Sequence, residues 1–299
     1  MLVPLILLAT LALLMASTGE TPTDVRHLLE LVEKLRPLHT RLAPPRPGDW
    51  LDVHDEPGQT FREYLDSKPV TAHGKRKVIY IQPLGEFTKS QQAIVDGTAE
   101  FLRAYFQLPV MVKESWPESK VPAHARRRHP HWGDEQILTT YVLHKLLRPN
   151  LPDDAAAYLA LTATDLWPGE GWNFVFGQAS IRDHIGVWSI YRKGGPDGGE
   201  EAFRPCLLRT IKTASHEVGH MFSMHHCTAY QCNMCGSNSV EESDRRPLLL
   251  CPECLAKLLY TTGAEPLERF RQLVSFCKQH GLTVELHLYE QSMEAITGR

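Results

Sequence analysis

The run His216-Glu217-Val218-Gly219-His220 sits near the end of a stretch with helical spacing. Residues four apart on an α-helix lie one above the other, so both imidazoles project from one face. Such a pair can offer two nitrogens to one zinc ion at roughly 2.0–2.1 Å. Glu217 is rotated about 100° around the axis from His216, which puts its carboxylate beside the metal and not on it. From there it can take a proton from a water whose pKa zinc lowers toward about 7, and pass it to a leaving amine. Hydrolytic zinc sites use a third protein ligand and keep one position open. His226 lies ten residues after His216, which suits a helix ending near Ser223 and a chain turning back beneath the metal. The adjacent His225 is the competitor with the poorer spacing. A helix surface that merely carries two histidines is the bland alternative, and it gives no role to His226.

Five cysteines follow closely: Cys227, Cys232, Cys235, Cys251 and Cys254. Cys251-Pro-Glu-Cys254 is a two-residue-gapped knuckle, the local geometry that wraps two thiolates around one zinc. A tetrahedral site needs two more sulfurs. Spacing alone favours Cys232 and Cys235, as in a zinc ribbon, while Cys227 with Cys232 is the alternative pair. Two disulfides are the competing reading for an exported chain. Cys206 and Cys277 stand alone, with no activating neighbours in sequence.

Several elements must position these groups. Val78–Ile81 is a β-branched run with turn residues after it, and Leu108–Val112 and Tyr158–Thr162 also read as strands. Residues 90–106 form an amphipathic helical pattern, 135–148 another, and Leu207–Met224 a third that carries the histidines. Trp172–Ser180 and Gly186–Tyr191 read as two strands joined by a turn. Alternating strands and helices predict an α/β or α+β fold with a mixed sheet. The basic run His124–His129 reads as a solvated loop. Residues 19–75 hold a helical stripe at Leu28, Leu29, Leu31, Val32 and Leu35 within a Pro- and charge-rich stretch, and read as a helical or linker segment before the domain of residues 76–299.

The chain has 299 residues, enough to bury a large core, with 32 Lys and Arg against 35 Asp and Glu. That balance gives no electrostatic footprint for nucleic acid, and no nucleic-acid partner is expected. Leu2–Ala16 is an uncharged apolar run followed by small residues, short for a membrane span and suited to a signal peptide over residues 1–18. No basic residue precedes it. The expectation is a periplasmic or secreted protein without a membrane span after processing. Seven cysteines cannot all pair in an oxidising compartment. Oligomeric state cannot be read from the sequence.

With these residues in view, the chain resembles the archaemetzincin family of metzincin zinc peptidases. The resemblance rests on HEVGHMFSMHHCTAYQCNMCGSNSVEESDRRPLLLCPECLAKL (216–258), VIYIQPLG (78–85) and DLWPGEGWNFVFGQAS (165–180). It implies a metzincin-like zincin fold with a twisted mixed sheet, an active-site helix and a four-cysteine zinc site in the C-terminal part. It also implies His216, His220 and His226 as catalytic zinc ligands and Glu217 as general base and acid. A second, structural zinc would be held by Cys227, Cys232, Cys251 and Cys254. Met234 would floor the imidazoles, and residues near Gly186–Tyr191 would form the cleft edge where an extended peptide adds as a strand.

This sequence departs from the family pattern at Ser223, where the signature has Gly, in the extra thiol of Cys235, and in its export-like leader. A left-handed turn at Ser223 would cost about 1–2 kcal/mol. The expected activity is zinc-dependent hydrolysis of peptide or protein substrates, in some family members as an aminopeptidase on short peptides. Glu241, Glu242 and Asp244 are the nearby candidates for anchoring a substrate amine. The rival expectation is a zinc-stabilised binding module with a decayed peptidase site.

Overall fold

The computed structural model describes residues 25–180 and 183–298. The stretch expected to be a signal peptide, 1–18, lies outside the described residues. Among the described residues no helix is long and apolar enough to cross a membrane.

Among the described residues eight strands form in chain order: β1 (Val78–Leu84), β2 (Val110–Val112), β3 (Arg126–Arg128), β4 (Glu135–Leu138), β5 (Ala155–Thr162), β6 (Asp165–Trp167), β7 (Gly177–Ser180) and β8 (Ile185–Ser189). The uncharged run of β5 has every residue buried, the pattern of a strand covered on both faces. It lies at the centre of a five-stranded sheet ordered β2-β1-β5-β8-β7, parallel except for β7, which runs antiparallel to β8. A second, three-stranded sheet is ordered β3-β4-β6. Alternation along β5 sends Ala157, Leu159 and Leu161 into one apolar layer and Tyr158 and Ala160 into the other.

The helices are α1 (Val25–Leu35), α2 (Trp50–Val53), α3 (Phe61–Asp66), α4 (Lys89–Phe106), α5 (Thr139–Tyr141, continuing helically to Leu147), α6 (Glu200–Met221), α7 (Val240–Asp244), α8 (Pro252–Thr262), α9 (Pro266–His280) and α10 (Thr283–Thr297). Thr88 caps α4, accepting from the Gln91 amide while the Gln91 side chain returns to the Thr88 N–H. The inward face of α4 packs on α6 and α9. α6 buries Leu207, Ile211, Ala214, Val218 and Met221, which fixes the rotation of the helix and so the direction of its histidines. Of the α1 stripe, Leu28, Leu31, Val32 and Leu35 are buried, with α1 against α8 and α10, whereas Leu29 is exposed.

Four expectations need correction. The stretch 135–148 is not one helix: it opens as β4, because Ile137 is buried and the Gln136 amide donates to Asp165 (2.7 Å) and to the Asn173 carbonyl (2.9 Å). Only Gly177–Ser180 of the stretch 172–180 is strand. The basic run is not a solvated loop throughout, since Arg126–Arg128 pairs with β4 and the Arg127 guanidinium lies 4.1 Å from the Trp167 ring centroid. The sheet edge that lines the cleft is β7 and not the stretch 186–191, because β8 is enclosed between β5 and β7.

Candidate active site and a four-cysteine cluster

The last two turns of α6 deliver His216 and His220, whose Nε2 atoms are 2.9 Å apart. The helix stops at Met221, and Ser223 takes the left-handed conformation with φ 65°, the turn expected from its place in the motif. The reversal brings His226 back, its ring centroid 5.2 Å from that of His216 and 4.9 Å from that of His220. One ligand nitrogen from each ring lies within 4.8 Å of the other two.

Each Nδ1 has its own partner: the Asn233 carbonyl for His216 (2.9 Å), the Met224 carbonyl for His220 (2.7 Å) and the Glu56 carboxylate for His226 (2.9 and 3.0 Å). Those bonds fix the tautomers and leave the other nitrogens as lone-pair donors. Tetrahedral bonds of roughly 2.0–2.1 Å hold two nitrogens about 3.3 Å apart, so the donor set fits a zinc ion. Burial, with His226 beside it, lowers the pKa of His216 to about 3. Burial and then His216 carry His220 well below the ordinary value. Both rings are therefore neutral at pH 7, the form a metal needs.

Glu217 faces away from the helix toward β7, and a Cβ on Gly177 would stand 2.9 Å from its Oε1. Burial raises the Glu217 pKa to about 8, against the pull of Lys193. The Lys193 ammonium is itself buried, donates to Thr213 Oγ1 (2.6 Å) and lies 3.9 Å from the Phe176 ring centroid. Met234 packs under the motif: a Cβ on Gly219 would meet its Sδ at 2.6 Å. Glycine at 219 thus lets the methionine reach the helix just before His220. A cleft of about 650 Å³ runs over these groups. Trp172–Ala179 line one wall, and Trp50 with residues from Ser237 to Arg246 line the other.

The sulfurs of Cys227, Cys232, Cys251 and Cys254 lie within 4.8 Å of one another, with Cys227 and Cys251 3.7 Å apart. Zinc–sulfur bonds of roughly 2.3 Å at a tetrahedral angle give about 3.8 Å, whereas a disulfide needs about 2.05 Å. The Met234 and Cys251 amides donate to Cys232 Sγ at 3.4 and 3.3 Å, which stabilises negative charge there. Cys235 sits outside this group and donates to the Tyr230 carbonyl (3.2 Å). The spacing-favoured pair Cys232 and Cys235 is thus not the one brought together, and the set implied by the resemblance is. Cys206 and Cys277 are buried and separate.

Among the acidic candidates for an amine anchor, the buried Glu242 accepts from the Trp50 and Asn238 amides (3.0 and 2.8 Å). Asp244 pairs with Arg209 at 2.6 Å. Charged groups that do line the cleft are Lys212, Arg246 and Glu217. Sequence reasoning missed Glu56, Trp50, Gly177 and Lys193, none of which belongs to a local motif.

The family model described as Peptidase family M54 matches residues 76–259. The chain belongs to this family, the archaemetzincins. It is 34% identical over 259 residues to archaemetzincin-2 of Homo sapiens, covering 76% of this chain and 71% of that protein. It is 28% identical over 289 residues to archaemetzincin-1 of Homo sapiens, covering 86% and 57%. It is similar to the crystal structure of archaemetzincin from Methanopyrus kandleri, with TM-score 0.50, 27% identity, and 64% of this chain and 98% of that chain covered. Family membership makes this archaemetzincin a zinc metallopeptidase.

Proposed function

We propose that this archaemetzincin hydrolyses peptide bonds with Glu217 as general base and acid, at a zinc held by His216, His220 and His226. The observation that carries the proposal is the set of three Nδ1-anchored imidazoles converging next to one buried carboxylate. When bound, zinc supplies a lowered water pKa and a polarised scissile carbonyl. The charge of zinc, when bound, would offset the burial that raises Glu217 and keep it ionised, so that it takes the proton of the attacking water and returns it to the departing nitrogen. The edge of β7 offers unpaired backbone groups to an extended substrate, where Gly177, Gln178 and Ala179 line the cleft. Cys227, Cys232, Cys251 and Cys254 hold a second, structural zinc that ties the loop after His226 to α8.

Aminopeptidase action would need a carboxylate for the substrate ammonium. Glu242 and Asp244 are already bonded, the exposed Glu241 does not line the cleft, and the cleft presents Lys212 and Arg246, which repel a cation. The proposed activity is therefore cleavage that does not depend on a free amino terminus. Peptide libraries with free and acetylated termini, assayed on the wild type and Glu217→Ala, test both points. Cleavage of both peptide forms by the wild type, lost in a variant that keeps its zinc, is expected. Hydrolysis that survives in Glu217→Ala refutes the assignment, and cleavage confined to free termini restores the aminopeptidase reading.

A further inference from the structure

We propose that residues 36–70, which precede the family match, are a working part of the zinc site, with Glu56 the positioning carboxylate of the third ligand. The proposal rests on the reading of His226 as a metal ligand. The loop 222–231 joins α6 to the cysteine cluster and carries His226, and the N-terminal segment grips it along its length. Tyr64 Oη donates to the Phe222 carbonyl (2.7 Å), and the Leu42 amide to the Ala229 carbonyl (3.1 Å). Gln59 accepts from the His225 amide (3.2 Å), and the Thr40 carbonyl accepts from the Gln231 amide (2.9 Å). Arg36 Nη1 donates to Tyr230 Oη at 2.7 Å.

Two contacts bear directly on ligand geometry. The left-handed turn at Ser223 is strained for a residue that carries a Cβ. Ser223 Oγ, however, accepts the Val70 amide at 3.1 Å, a bond that glycine could not make. The departure from the family signature is thus matched by a contact from the N-terminal segment. At His226, Glu56 accepts from Nδ1 and Trp50 packs edge-on at 5.0 Å. A blocking pro-segment would take the metal's open position. Glu56 takes the opposite nitrogen and leaves the lone pair free, so it orients the ring toward the metal position. The segment also reaches the far wall of the cleft, where His54 stacks on Trp172 with centroids 6.3 Å apart.

The test is zinc affinity in the full chain, measured by chelator competition for the wild type, Glu56→Ala and Glu56→Gln. Zinc held by the cysteines and the far-UV circular dichroism spectrum serve as internal controls. Glu56→Ala is expected to weaken the histidine site 10–100-fold. Glu56→Gln keeps an acceptor for Nδ1–H and recovers most of that loss. Both variants retain cysteine-held zinc and the wild-type spectrum. Unchanged affinity in Glu56→Ala overturns the proposal. So does an equal loss in both variants accompanied by loss of the cysteine-held zinc, which marks a purely structural role. A wild type that binds no zinc at the histidines refutes the proposed function together with this inference, whereas failure of the variants alone leaves that function standing.

Discussion

Replacing Gly177 by alanine separates position from stability at the catalytic carboxylate. The new Cβ would stand 2.9 Å from Glu217 Oε1 and 3.1 Å from its Cγ and Cδ. An ordinary contact begins near 3.4 Å, so the carboxylate must retreat by about 0.5 Å. That movement is cheap for the fold, because the displaced atoms end a side chain and alanine in a strand gains about 0.5–1 kcal/mol over glycine. It is expensive for the reaction, since a misplacement of about 1 Å costs on the order of 100-fold. Gly177→Ala is expected to keep its thermal midpoint and zinc content while kcat/KM falls by about 10–100-fold, mostly in kcat. The assay is peptide hydrolysis at matched zinc loading, with calorimetry on the same samples. Wild-type turnover at wild-type stability would show that Glu217 does not act from the place against β7 that the structure gives it.

Gly219→Ala tests the methionine floor by the sign of its effect. Helix propensity alone predicts a gain of about 1 kcal/mol, but a Cβ 2.6 Å from Met234 Sδ overpacks the site, at about 1–3 kcal/mol. A net loss of stability in urea titration is expected, and a gain would remove Met234 from beneath the motif. His39 gives a pH prediction. Burial lowers its pKa to about 4, opposed by Cys227. Between about pH 6.5 and pH 4 the unfolded chain takes up a proton that the folded chain refuses, so stability is complete above that window and declines as pH falls through it. Urea midpoints at pH 7.5 and 5 should therefore differ less in His39→Gln than in the wild type, and equal slopes would assign the decline to other groups.

Local patterns were the legible part of this chain. The buried run around Tyr158–Thr162, the amphipathic helix over 90–106 and the histidine helix each carry their own signal, because periodicity acts within one element. β4 was hidden because four residues become strand only when Gln136 meets Asp165 and Asn173. The pairing of β7 at the sheet edge likewise depends on partners distant in sequence. Histidine spacing exposed the three rings, since helix geometry converts sequence distance into spatial distance. The choice between Cys227 and Cys235 needed the fold of the loop, in which the Cys235 sulfur turns to the Tyr230 carbonyl. Glu56 lies 170 residues from His226, and no local rule connects them.

Zinc per chain, counted by mass spectrometry on protein purified without chelators, bears most directly on the central claim. Two zinc ions are predicted for the wild type and one for the doubly substituted His216→Ala, His220→Ala protein, which keeps the cysteine site. A wild-type chain that retains no zinc while its thiols remain reduced would contradict the metallopeptidase account at its root.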